Sequence, residues 1–370
     1  MKIIKILTAI AILLFAVSCS KKNDNTPPAP PPGGGGAQGG GGAPGSSQDV
    51  YVVGWQAGDG NHTIAKLWKN GVATNLDAVN GITGGGVANS VYESGNDVSV
   101  TFNEHDIPML WKNGTTTSLS IGSTNQVVSS VTGNGSDVYV SGEQGNAYSS
   151  TYTLWKNGVA STIATGEQFS PLADKSIAFA SGNDIYVLLQ GQFQTLDPSI
   201  RLWKNGAIST PITPSGNFVS ISIGSILVNK GDVYIGGVQH TGGTIDSPVA
   251  TIWKNGVTTL LNVGTPYGYV EVNSIFVSGS DVYVAGLEKD NPDNKTIATI
   301  WKNGTPISLT NGKNNAKAYS VYVSGTGVYV AGEEDKAGYY SPVAKIWKNG
   351  VATALDNNTN TGEALAVFVK

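Results

Sequence analysis

Trp-Lys-Asn-Gly stands at residues 68–71, 111–114, 155–158, 203–206, 253–256, 301–304 and 347–350 of this 370-residue chain. Successive copies are 43, 44, 48, 50, 48 and 46 residues apart. A period of this length in β-type sequence signals stacked or radial repeats. Asn-Gly is the strongest short-range sign of a two-residue hairpin, because a type I′ turn needs φ > 0 at both central positions. A short apolar strand precedes each copy, as in Ile252-Trp253, and an alternating one follows, as in Val351 to Leu355. Each copy is therefore read as a hairpin tip. Seven tryptophans could form a ligand cage, but a ligand rarely needs the same residue in every unit. Packing between neighbouring sheets does, and large aromatics dominate core energetics.

Around each hairpin the rest of a unit is legible. Ser320 to Gly325, Val328 to Gly332, Val343 to Trp347 and Val351 to Leu355 read as four short strands separated by turns. Four such strands per unit predict an all-β chain folded as a β-propeller of four-stranded antiparallel blades. The strands are apolar at nearly every position, as in Asp281-Val-Tyr-Val-Ala, which suits sheets packed on both faces. No helical periodicity competes, since the apolar runs last four to six residues and are β-branched or aromatic. Asp49 to Gly54 matches a second strand with no first strand before it. Ala364 to Lys370 matches a first strand with nothing after it. The C-terminal strand is thus expected to complete the N-terminal blade, which fixes the count at seven and removes exposed edges.

Three segments are expected. Residues 1–18 read as an export signal: Lys2 and Lys5, then an apolar run from Ile6 to Val17, 12 residues long and too short to span a bilayer. Residues 19–48 carry Cys19 and then a tether of Pro runs (27–28, 30–32) and Gly runs (33–36, 39–42), which cannot bury a core. Residues 49–370 form the propeller, 322 residues or 46 per blade. Cys19 is the only cysteine, so no intrachain disulfide can form. The formal charge is −4, and −6 without residues 1–18; with charged residues at 13%, this argues against nucleic acid as a partner.

On Ala16-Val17-Ser18-Cys19 and the repeat units together, the chain resembles a bacterial lipoprotein-type seven-bladed β-propeller built of Val-Tyr-Val-Ala-Gly and Trp-Lys-Asn-Gly repeats. Ala16 stands where that family usually has Leu. The resemblance implies lipidation at Cys19, and Ser20 rather than Asp after it implies the outer membrane, with the membrane as partner through the lipid. The Gly-His and Trp-Asp signatures of WD repeats are absent, as is the aspartate box of sialidase-type propellers. No catalytic set is carried over, because fold alone does not give function.

Function is expected on one end of the ring. First-to-second turns are short and third-to-fourth turns are always Asn-Gly. Second-to-third loops and the links between units are long and variable, and alternating strand direction puts both on one end. Two rows there are read as structural: Gln56, Glu104, Gln144, Gln239, Glu288 and Glu334 at second-strand exits, with Gln190 one place early, and the first-strand serines Ser90, Ser130, Ser176, Ser225, Ser274 and Ser320, with Ala366. Three places before those serines stand Val87, Val127, Ala173 and Ser222, then the charged Glu271, Lys317 and Glu363. This break in the repeat marks Glu271, Lys317 and Glu363, with the loop aromatics Tyr267, Tyr269, Tyr339 and Tyr340, as the candidate ligand-binding set. No cofactor and no metal is expected. His62, His105 and His240 lack tight ligand spacing, and Glu288 to Asn294, the stretch that could hold Ca²⁺, lacks an ordered calcium-loop pattern.

The leading functional expectation is a monomeric, surface-tethered binding or scaffold module for a glycan or protein ligand. The alternatives are a glycan-active hydrolase or lyase with carboxylates at the channel mouth, and a structural envelope protein without a specific ligand. A symmetry-breaking acid pair favours the enzyme; aromatic loops without one favour binding.

Overall fold

The structure, a computed structural model, describes residues 48–59, 62–76, 85–121, 125–146, 149–166, 175–191, 200–214, 216–241, 248–261, 269–289, 295–337, 340–356 and 360–370. Residues 48–370 form one compact unit. Cys19, Tyr267, Tyr339 and most of the Glu288 to Asn294 stretch lie outside the described residues.

Seven four-stranded antiparallel sheets make the blades of a propeller. Blade 1 pairs the C-terminal strand Gly362–Val369 with Val50–Ala57, Thr63–Lys69 and Val72–Asn75 in that order. Blades 2 to 7 begin at Gly86, Gln126, Lys175, Ser220, Tyr269 and Ala316, each running from the innermost strand outward. The closing register sets Val50 opposite Val369 and Gln56 opposite Gly362. Gln48 adds a clasp on blade 7, donating to Ser324 Oγ at 2.6 Å and accepting from Tyr329 Oη at 3.2 Å.

Each residue of Trp-Lys-Asn-Gly has a separate physical task. In all seven hairpins Asn has φ of 47–52° and Gly of 81–97°, the left-handed pair a type I′ turn requires. The Asn side chain also accepts from the backbone N–H that opens the second strand, at 2.8–2.9 Å. In six blades it donates to the Asp before that strand, at 2.7–2.8 Å. Lys pairs with the same Asp at 2.7–2.8 Å. In six blades the Lys ammonium also lies 4.9–5.5 Å from a second-strand Tyr ring. Blade 7 has Gly327 in place of the Asp and keeps the Tyr contact; blade 2 has Ser99 in place of the Tyr and keeps the Asp.

Trp is the wedge between sheets. Trp347 of blade 7 packs with Ala285, Ala298 and Ile300 of blade 6. Trp253 packs with Leu188 and Leu202 of blade 4, and Trp68 packs with Tyr329 and Ala344 of blade 7 across the closure. Five of the seven indoles are buried; Trp111 and Trp203 are half-buried. In those two blades the second-strand glycine is replaced by Phe102 and Leu189, which occupy the buried space.

Candidate functional site

The inner strands bring the site together through a bulge. In six blades one residue of the inner strand is left unpaired: Asn89, Ser129, Gly224, Asn273, Tyr319 and Leu365. A bulge re-aims a side chain, and all six residues line one cavity of about 680 Å³ in the channel. Deeper, towards the tight turns, the rings of Phe276, Tyr322 and Phe368 follow one another at 4.6 and 5.0 Å between centroids, with Tyr92 6.1 Å from Phe368. Each of these aromatics stands two residues after the serine position of its inner strand, Ser274, Ser320, Ala366 and Ser90.

The inner strands are sheet edges with unpaired N–H groups, and the first-strand serines satisfy them. Ser90 Oγ accepts from Val131 N at 3.0 Å, Ser130 from Ala178 at 2.7 Å, Ser274 from Val321 at 3.2 Å and Ser320 from Val367 at 3.2 Å, each in the next blade. Smallness was the only role legible in the sequence for this row.

Blade 4 corrects the alignment of that row. It has no bulge: Lys175 faces Gln190, Ser176 faces Leu189 and Ile177 faces Leu188. In blade 3 Val127 faces Glu143, Val128 faces Gly142 and Ser130 faces Ser141. Ile177, not Ser176, is therefore the equivalent of the serines. Lys175, not Ala173, stands at the inner-strand position occupied elsewhere by Val87, Val127, Ser222, Glu271, Lys317 and Glu363. One missing bulge residue shifts the numbering and hides a fourth charged residue from an alignment that counts back from serine.

Two charged groups result. In the first, Glu333 is buried; Tyr319 Oη donates to its Oε1 at 3.1 Å and Lys317 Nζ lies 3.9 Å away. Burial, and then the neighbouring charge of Glu363, push the Glu333 carboxyl up to about 8 against the pull of Lys317. Tyr319 is driven far above the ordinary phenol range by burial and the same two carboxylates. Lys317 and Glu363 thus meet through Glu333, which nothing in the chain singles out beyond its place in a variable stretch. Glu271 takes a different set of neighbours. Tyr269 donates to Glu271 Oε1, and burial and that carboxylate push the phenol up to about 12. Tyr340 is 83% exposed.

The second group lies in the cavity wall. Glu143, at the same second-strand position as Glu333, is buried and accepts from Ser129 Oγ and Ser176 Oγ, both at 2.7 Å. Lys175 Nζ reaches blade 5, where it donates to the carbonyls of Ile223 and Gly224, both at 3.3 Å. Burial lowers its basicity, opposed by the charges of Glu143 and Glu271. Asn103, Asn89 and Asn273 bond the backbone of the next blade.

The second-strand exit row is bonded within the structure, as with Gln56 to Asp356 at 3.1 Å and Glu334 to Lys345. His105 and Asp106 form a two-residue turn, and His240 Nε2 lies 3.1 Å from Ser222 Oγ. Among the described residues no group of three His, Cys, Asp or Glu is placed to hold a metal.

No known family pattern and no curated protein matches the sequence. Solved structures similar in shape include the acylaminoacyl peptidase of Pyrococcus horikoshii, at 13% identity over 83% of this chain and 50% of that one, with a TM-score of 0.49. The polysaccharide lyase Uly1 is 13% identical over 86% of this chain and 92% of that one, with a TM-score of 0.48. The tricorn protease is 12% identical over 73% of this chain, with a TM-score of 0.43. This chain spans 26% of the tricorn chain. At this level of likeness function has to be argued from the site itself.

Proposed function

We propose that this chain is a binding module of the bacterial envelope that takes a small, hydroxyl-rich ligand, such as the end of a glycan, in its channel. The observation that supports this is the cavity of about 680 Å³ walled by serine, asparagine and glutamine side chains around Lys175 and Glu143. That volume lies within the usual range of small-molecule sites, and the lining breaks the sevenfold repeat. Glu271, Lys317 and Glu363, at the inner-strand position that Lys175 holds in blade 4, are the proposed entry rim, with Tyr269 beside Glu271 and the exposed Tyr340 as further ligand contacts. The test is calorimetric titration of the protein with neutral mono- and oligosaccharides. Binding that is lost in Ser274→Leu, which fills the cavity, supports the reading; no binding across the panel overturns it.

A glycan-active hydrolase or lyase is the second reading, favoured by the Glu333–Glu363 pair. A carboxyl pushed up to about 8, first by burial and then by the charge of Glu363, keeps its proton at neutral pH, as a general acid must. Release of new reducing or unsaturated ends, lost in Glu333→Gln, would establish it.

Display from the outer membrane rests on Cys19 and its preceding apolar run. Cys19→Ala is expected to move the protein from the membrane pellet to the soluble fraction, since a lipid chain contributes about 0.8 kcal/mol per buried CH₂. A variant that stays in the pellet through carbonate washing overturns the anchor.

A further inference from the structure

We infer that Lys175 is a carbonyl-reactive lysine: its amine sits in the channel cavity, placed to form a reversible imine with a small aldehyde or with the open-chain form of a reducing sugar. This goes beyond the binding reading and does not require it, since any small aldehyde that enters the channel serves.

Three features of the geometry carry the inference. Lys175 lines the cavity, and its Nζ donates to two backbone carbonyls, Ile223 and Gly224, both at 3.3 Å, which leaves the lone pair of the free amine for a carbonyl carbon. Among the described residues no carboxylate is within ion-pair distance of the amine; Glu143, near enough to act on it, accepts from Ser129 and Ser176. The facing bulge residue is Gly224, where a Cβ would lie 2.0 Å from Val272 O, so no side chain can grow there to cover the amine.

The repeat lysines stand in contrast. Lys69, Lys156, Lys204, Lys254 and Lys302 each pair with an aspartate at 2.7–2.8 Å and are held above the ordinary range by it. Lys175 is shifted the other way, by burial. A desolvated lysine is the kind used as a Schiff-base nucleophile. The charged groups facing it are Glu143 from the second strand of blade 3 and Glu271 from the inner strand of blade 6; Tyr319 lines the same cavity. In the reaction the neutral Nζ adds its lone pair to the carbonyl carbon and loses a proton, while the carbonyl oxygen gains one. The hydroxyl of this carbinolamine takes up a second proton and leaves as water while the nitrogen lone pair forms the C=N bond; loss of the second N–H proton from the resulting iminium gives the neutral imine, and the two carboxylates favour the protonated form.

The full-length protein is treated with glyceraldehyde and sodium cyanoborohydride, whose hydride reduces the imine to a stable secondary amine, and labelled lysines are mapped by peptide mass spectrometry. At pH 7 Lys175 should label faster than Lys69, Lys156 or Lys254, because burial lowers its basicity and leaves more of it as free amine, whereas their aspartates raise theirs. Its rate should level off at a lower pH than theirs. Lys175→Arg should remove this site alone and leave the others unchanged. The inference is overturned if Lys175 labels no faster than Lys69. It is equally overturned if its advantage survives in urea, where the channel no longer exists. Failure of sugars to bind by calorimetry with Lys175 labelling intact would overturn the binding reading and leave this one standing.

Discussion

The indole of Trp347 lies over Gly332, so close that a Cβ on the glycine would sit 2.9 Å from Cζ3 and 2.0 Å from the carbonyl oxygen of Lys317. The same relation joins Trp301 to Gly286, Trp253 to Gly237 and Trp155 to Gly142, at 3.2, 3.2 and 3.1 Å. The glycine serves two neighbours at once, the tryptophan of its own blade and the bulged backbone of the inner strand. Gly332→Ala is therefore expected to destabilise by about 1–3 kcal/mol, the usual cost of overpacking. Trp347→Ala should cost about 3–5 kcal/mol, as for a buried large aromatic, and Trp203→Ala less, because Leu189 already displaces that ring towards solvent. Denaturant unfolding checks the order; equal losses at Trp203 and Trp347 would contradict it.

This pairing shows where sequence reading succeeds and stops. The hairpins, the blade count and the closure were legible because each rests on a local rule: φ > 0 at Asn-Gly, alternation in strands, and a unit split between the two chain ends. The wedge role of Trp followed from its repetition. The link between Trp347 and Gly332 joins different strands, and nothing local encodes it. The channel was legible only in part. Glu271, Lys317 and Glu363 stood out because they break the repeat. Lys175 did not, because blade 4 lacks the bulge and counting from Ser176 lands on the wrong residue. Glu333 and Glu143 share one register position, yet only the fold gives one a tyrosine and the other two serines.

Closure is the next expectation. Removing residues 363–370 takes away the strand that pairs with Val50–Ala57 and, with it, Ala364, Val367 and Val369 from the core shared with blade 7. The loss is comparable with a typical total stability of about 5–15 kcal/mol, so the shortened protein should unfold or associate through its open edges. Size-exclusion chromatography and thermal melting decide it. A monomer with an unchanged Tm would show that the ring does not depend on this strand.

The Asn of the tetrapeptide carries two separable contributions. Asn303 has φ of 51°, accepts from Val282 N at 2.9 Å and donates to Asp281 at 2.8 Å. Asn303→Ala loses the bonds and adds left-handed strain of about 1–2 kcal/mol. Asn303→Gly loses the bonds but keeps the turn, so it should unfold at higher denaturant than the alanine variant. The reverse order would mean that the turn conformation contributes nothing.

The aspartates of the repeat set the acid limit. Asp49, Asp97, Asp137, Asp184, Asp232 and Asp281 are held below the ordinary carboxylate range, first by the lysine and then by the asparagine of the following hairpin. A depressed folded pKa contributes stability that is present above the unfolded value of 3.8 and is lost as pH falls through the folded one. Asp281→Asn should lower Tm at pH 7, and the gap to wild type should close below about pH 4. A gap that does not narrow at all as the pH falls below 3.8 would assign the loss to something other than the charge.

Glu333 works in the opposite direction. Its carboxyl is pushed from 4.5 up to about 8, first by burial and then by Glu363. Below 4.5 the folded and unfolded states both hold the proton, and this group adds no pH dependence. Between 4.5 and about 8 the unfolded chain ionises while the folded one keeps its proton, so stability falls as pH rises. Above that range both states are ionised and the loss levels off. Glu333→Gln keeps the shape and the acceptor for Tyr319 but cannot ionise. The Tm of that variant relative to wild type should therefore rise steadily from pH 5 to pH 8, by an amount that reflects a few kcal/mol at most. Lys317→Met removes the cation that opposes the shift and should extend the fall to higher pH. A difference between Glu333→Gln and wild type that stays constant across this range would mean that Glu333 is ionised in the folded protein and has no proton to give.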